Sequence, residues 1–102
     1  MVLDEQKLEQ VSAVFSALGS PTRLKIIELI NETERPLHIK AVAMALEKDY
    51  ATVYRHIRLL EKSGLIGVYD VGRSRVLYLK NADLVRECVR TAKQSSQPAK
   101  IG

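Results

Sequence analysis

Cysteine occurs once in these 102 residues, as Cys88. That excludes an intrachain disulfide and any zinc site built from several thiolates. Histidine occurs only twice, at His38 and His56. No apolar run approaches the length of a membrane-spanning helix, and the chain does not open on the basic-then-apolar segment of a secretory signal. The expectation is a cytoplasmic protein without a membrane partner. A glycine-rich phosphate loop, a nucleophile–base–acid constellation and paired carboxylates in an apolar setting are all missing. No enzymatic activity, no cofactor and no small-molecule ligand are therefore expected. There is no internal repeat. Acidic charge is in the minority, 12 Asp and Glu against 16 Lys and Arg, for a net charge of +4. This excess is mild; it suits a polyanionic partner without proving one.

What is present is a globular composition, 46% hydrophobic and 27% charged. A chain this long can bury about two thirds of its unfolded surface in one core. Residues 1–95 read as one domain and residues 96–102 as a frayed tail.

The stretch with the most marked pattern is residues 49–64. Val53, Ile57 and Leu60 recur at helical spacing and form a stripe that should bury. The far side carries Ala51, Arg55, Arg58 and Lys62, with Thr52 at its flank and Glu61 near its end. Asp49 can cap the helix start, and Gly64 can end it in a left-handed conformation. Small and polar residues at the start of such a helix let its backbone approach base edges, while arginines reach guanine or phosphate. By itself the stretch reads equally as a solvated surface helix.

The neighbours decide between these readings. Residues 4–18 predict a first helix, with Leu8, Val11, Val14, Phe15 and Leu18 at helical spacing and Gly19 as its stop. Ser20-Pro21 restarts the chain as cap and first helical residue. A second helix, residues 21–31, turns Leu24, Ile27 and Ile30 inward, joined by Ile26 and Leu29, and should be central. Residues 35–39 are extended, because Arg35 precedes a proline, and can supply a short strand. Residues 40–46 predict a short third helix with Val42, Ala43 and Leu46 inward. Glu47 and Lys48 must then turn into the organising helix, with strain at Glu47 if its φ is positive. After Gly64 the period changes. Residues 65–70 and 75–79 are rich in β-branched and aromatic residues and pair as a hairpin around Val71-Gly72-Arg73-Ser74. A last helix, residues 81–95, carries Leu84, Val85, Cys88, Val89 and Ala92 on one stripe.

Helix, turn and helix followed by a two-stranded hairpin make a winged helix-turn-helix, an α+β fold that is mainly helical. At this point the motifs become specific. Ala17-Leu18-Gly19-Ser20-Pro21-Thr22-Arg23-Leu24-Lys25-Ile26-Ile27, Ala43 to Leu46, Thr52-Val53-Tyr54-Arg55-His56-Ile57, Leu60-Glu61-Lys62-Ser63-Gly64-Leu65-Ile66 and Gly72-Arg73-Ser74-Arg75-Val76-Leu77-Tyr78 resemble the ArsR-type winged-helix regulators. The resemblance covers nearly the whole chain. It implies a homodimer that binds a palindromic operator in double-stranded DNA and regulates transcription, usually as a repressor. It also implies that the first and last helices form the dimer interface, here Leu8, Val11, Phe15, Leu84, Val85, Cys88, Val89 and Ala92.

The DNA-facing residues are expected to be Tyr50, Ala51, Thr52, Tyr54, Arg55, Arg58 and Lys62 on the helix, with Arg73 and Arg75 on the wing. By analogy with the family, Thr52 and Arg55 meet bases or phosphates. Arg73 suits the minor groove, whose negative potential attracts arginine. Lys62 and Arg75 suit phosphates, where they position without specifying. His56 either contacts phosphate or packs as a hydrogen-bonded residue at the helix edge. Arg23 reads as structural.

Many members of the family release DNA when a metal binds, but this chain departs from both of their metal patterns. Residues 36–42 hold His38 and no cysteine. The last helix offers Asp83, Glu87 and Cys88 and no histidine. No family-type metal site is expected. Cys88 reads as a small apolar interface residue; near a two-fold axis it could instead meet its own copy in an intersubunit disulfide. A different class also fits the fold: a winged helix that mainly binds protein, or one that coats DNA without sequence preference.

Overall fold

The computed structural model describes residues 2–33 and 35–96. Beyond Ser96, the tail expected over residues 96–102 lies outside the described residues. The elements are α1 (Glu5–Leu18), α2 (Pro21–Glu32), β1 (Leu37–His38), α3 (Ile39–Leu46), α4 (Tyr50–Lys62), β2 (Ile66–Val71), β3 (Ser74–Leu79) and α5 (Ala82–Ser95). The strands form one antiparallel sheet in the order β1-β3-β2. The extended stretch expected over residues 35–39 narrows to β1, because Arg35 lies in a bend and Ile39 already begins α3; Leu37 pairs with Leu77. The expected two-stranded wing is thus joined by a third, short strand.

Local chemistry explains most element ends. The Asp4 carboxylate accepts the Lys7 amide at 2.8 Å, and the Ser20 hydroxyl accepts the Arg23 amide at 3.3 Å. Each satisfies one of the free donors of a helix's first turn. The Gly64 and Leu65 amides bond back to the Glu61 and Leu60 carbonyls at 3.0 and 3.1 Å, while Gly64 takes φ +82°. This is the paired closure that a left-handed residue permits at a helix end. The end of α3 closes the same way, with Glu47 and Lys48 amides on the Met44 and Ala43 carbonyls, but here the left-handed residue is Glu47 at φ 54°. In the wing Val71 pairs with Ser74, leaving Gly72 and Arg73 as a two-residue loop. Gly72 has φ +60° and Arg73 does not share the sign, which is the φ pattern of a II′ hairpin turn.

The core sits between the helix-turn-helix and the sheet. Val53, Ile57 and Leu60 of α4 are wholly buried. They share one cluster with Ile26, Ile27 and Ile30 of α2, with Ile39, Val42 and Ala43 of α3, and with Leu65, Ile66 and Leu77 beside and within the sheet. Burying each such side chain contributes roughly 1.5–3 kcal/mol. This fixes the rotation of α4 about its own axis, and so determines which side chains it shows to solvent.

Three expectations change, at Leu24, Asp49 and Val85. Leu24 is not an inward residue of α2 but 38% exposed, its place in the core taken by Ile26. Asp49 stands at the N-cap of α4, where the Thr52 hydroxyl and amide lower its carboxyl below the ordinary range, but the contact is too loose for a cap hydrogen bond of normal geometry. Asn81, also at an N-cap, instead directs its amide across to the Gly64 carbonyl at 3.3 Å. Val85, expected on the dimer face, is 3% exposed and belongs to the protomer's own core, because α5 rests on the body at that residue.

Candidate nucleic-acid interface

With its apolar stripe buried, α4 presents Tyr50, Ala51, Arg55, Arg58 and Lys62 to solvent, with Thr52 and Tyr54 half-buried at the border. Arg55 lies along the helix and donates to the Thr52 hydroxyl at 3.4 Å. These two residues, expected to act together, are thus neighbours on one edge. Arg58 is 3.9 Å from Glu61, a long surface pair that contributes little. Among the described residues Arg55, Lys62 and Arg73 form no ion pair with a carboxylate. They are available to an outside anion. Arg73 is exposed in the two-residue turn at the wing's tip.

Arg75 differs from the other basic residues. It donates to the Tyr54 hydroxyl at 2.9 Å, lies 5.4 Å from that ring's centroid, and sits 3.9 Å from Asp70. Hydrogen bonding to Arg75 lowers the Tyr54 phenol below its ordinary range. Tyr50 and Tyr54 stack with centroids 6.1 Å apart.

His56 and Arg23 turn out to be one device. Arg23 donates through Nε to the Ala17 carbonyl at 2.7 Å and through Nη2 to the Ser16 carbonyl at 3.1 Å. Both carbonyls lie at the end of α1, where the helix leaves its last acceptors free; that of Ser16 also accepts the Gly19 amide at 3.2 Å. Its Nη1 meets His56 Nδ1 at 3.0 Å. Because a guanidinium can only donate, Nδ1 is the acceptor and the ring proton sits on Nε2. Burial lowers the imidazole's pKa, and the charges of Arg23, Lys48 and Arg55 lower it further. Of the two readings of His56, the structure supports the packed, hydrogen-bonded one. The sequence shows both residues but no signal that they meet, since they are 33 positions apart.

The outer helices are thinly attached to the body. Ala17 is the only buried residue described in α1, and Val85 the only one in α5. Leu8, Val11 and Phe15 on α1, and Leu84 and Val89 on α5, stay exposed, Phe15 by 64%. Cys88 is half-buried and Ala92 exposed. An open groove of about 690 Å³ separates α5 from α2, with Leu24, Ile27, Val85 and Val89 among its lining. His38 lies in β1 opposite Val76 and His56 on α4, so the two histidines belong to different elements. Among the described residues, no three His, Cys, Asp or Glu side chains gather around a point that could hold a metal. No helix among them is long and apolar enough to cross a membrane.

The chain resembles known proteins along most of its length. A family model described as HVO_A0114 matches residues 18–85. Two uncharacterized HTH-type transcriptional regulators of Methanocaldococcus jannaschii are similar. MJ1325 is 29% identical over 85 residues, 83% of this chain and 93% of that protein. MJ0229 is 33% identical over 75 residues, 71% of this chain and 77% of that protein. Among solved structures, the homodimeric winged helix-turn-helix DNA-binding domain Mb0332 of Mycobacterium bovis, a possible ArsR-family transcriptional regulator, superposes with a TM-score of 0.75 at 25% identity, covering 90% of this chain and 88% of that one. The chain belongs to the HVO_A0114 family; it is a winged helix-turn-helix protein of the ArsR type, like the M. bovis domain, and its M. jannaschii relatives are HTH-type transcriptional regulators.

Proposed function

We propose that this protein is a homodimeric repressor that binds an inverted-repeat operator in double-stranded DNA, through α4 in the major groove and the wing beside it. One observation carries the reading. The buried Val53, Ile57 and Leu60 hold α4 so that Tyr50, Ala51 and Arg55 face outward at its start with Thr52 at their border, while the turn of the hairpin exposes Arg73. A helix whose first turns are small and polar can bring its backbone to base edges, and the flanking cations neutralise phosphates. Arg58 and Lys62 continue the basic face along the helix.

Dimerisation follows from the exposed apolar residues of α1 and α5. Leu8, Val11, Phe15, Leu84, Cys88, Val89 and Ala92 form the proposed interface; Val85 does not, being buried within the protomer. The homodimeric M. bovis domain, similar over 90% of this chain, supports the same assembly. The protein works in the cytoplasm, is not an enzyme, and responds to no metal through a family-type site, since the residues such sites use are not at the matching positions.

Two measurements on the full chain test the proposal. Sedimentation gives the mass of the particle, expected to be a dimer. Titration of a duplex at rising salt gives the electrostatic part of the affinity, expected to fall steeply because phosphate contacts release counterions. A monomer, or binding indifferent to salt, contradicts the proposal.

A further inference from the structure

Arg75 looks like another phosphate-seeking cation, yet its guanidinium is engaged on several sides by the protein. Nη1 donates to the Tyr54 hydroxyl at 2.9 Å, and the guanidinium carbon lies 5.4 Å from the centre of that ring. Nε faces Asp70, its partner across the β2–β3 ladder, at 3.9 Å. Tyr54 is in turn stacked on Tyr50, with ring planes 13° apart. A continuous file, Tyr50–Tyr54–Arg75–Asp70, therefore runs from the first turn of α4 to the wing. We propose that Arg75 is a positioning residue and not a DNA contact: acting through Tyr54, it holds the wing at a fixed angle to α4. Arg55 on the helix and Arg73 at the wing tip then meet a duplex as one rigid unit.

This rests on the DNA-binding reading above and adds a mechanism to it. A hairpin free to swing must be ordered when it binds, which costs conformational entropy and weakens the complex. A bracket formed in the free protein removes that cost in advance. Arginine suits the task because its planar fork donates to an oxygen and lies against an aromatic ring, which an ammonium cannot match. The ion pair with Asp70 is long and exposed and adds little. The contact with Tyr54 is therefore the part that matters.

The test is a double-mutant cycle in the full chain with Tyr54→Phe, Arg75→Ala and the pair combined. Binding of a fluorescent duplex is measured over a range of salt, and amide hydrogen exchange of residues 70–75 is measured in the free protein. Tyr54→Phe keeps the ring and the packing and removes only the hydroxyl. The expected result is about fivefold weaker binding for Tyr54→Phe and about tenfold for Arg75→Ala, the combined variant being no worse than Arg75→Ala. The salt dependence stays as in the parent protein, and wing exchange is faster in both single variants. The proposal is overturned if Tyr54→Phe binds like the parent while Arg75→Ala lowers the salt slope by about one, since Arg75 would then be a phosphate contact. Additive losses in the combined variant overturn it as well. If the parent protein binds no duplex, the functional reading falls instead. Exchange then decides the bracket alone: unchanged wing exchange in Tyr54→Phe overturns it.

Discussion

Arg23 directs its guanidinium inward, tying the end of α1 to α4 through His56. This contact requires an uncharged imidazole, and burial together with the nearby cations favours that form. The folded protein consequently takes up the His56 proton at lower pH than the unfolded chain does. The contribution to stability is complete above about pH 6.5 and is lost as the pH falls below that value. His56→Asn, whose Oδ1 takes the place of Nδ1 and can still accept from Arg23 but cannot titrate, should show a shallower loss of melting temperature between about pH 6.5 and 5, measured by thermal denaturation. Identical pH profiles would contradict the assignment. Arg55 is the opposite case, an exposed side chain held only by Thr52 at 3.4 Å. Arg55→Ala should weaken operator binding by at least about tenfold, the scale of one good base contact, while the melting temperature stays within about a degree. Equal affinity would remove Arg55 from the interface.

At the scale of the elements, two helix ends make a natural comparison. α3 and α4 close with the same pair of hydrogen bonds, one around Glu47 and the other around Gly64. A left-handed residue with a Cβ is strained and a glycine is not, although glycine loses more freedom on folding. Glu47→Gly should thus stabilise the protein by about 0.5–1 kcal/mol, read from denaturant unfolding. Destabilisation would mean that the Glu47 side chain contributes something its exposed position does not show. The same comparison shows what could be read from the sequence. Ser20-Pro21, the strain at Glu47 and the left-handed Gly64 were all legible, because each is settled within a few residues. The stripe of α4 was legible because only one of its faces is apolar. The face of α2 was not: it is apolar most of the way round, and only the packing of its neighbours selects Ile26 over Leu24. The short strand before α3 was legible as a segment, but its pairing with β3 and the Tyr54–Arg75 bracket depend on distant parts of the chain.

For the molecule as a whole, the chief structural oddity is that both terminal helices leave apolar side chains uncovered. Phe15 and Leu84 are 64% and 44% exposed. Two copies joined through α1 and α5 would cover them and set the spacing of the two α4 helices. Phe15→Glu would place a charge in that contact. It should yield a folded monomer by sedimentation, with operator binding lost because each half-site alone is weak. A variant that stays dimeric would move the interface elsewhere. Val85 marks the limit of a stripe argument here. It shares its helix and its spacing with Leu84 and Val89, yet it is the residue on which α5 rests against its own protomer.

If α4 and the wing read sequence as a dimer, the enriched sites of a binding selection must show it. The most direct measurement is selection of bound duplexes from a random pool at about physiological salt, followed by sequencing of the enriched sites. The expected outcome is an inverted repeat whose half-sites lie about one helical turn apart. Duplex retained at low salt with no enriched sequence would contradict it, and would leave Thr52 and Arg55 as ordinary surface residues.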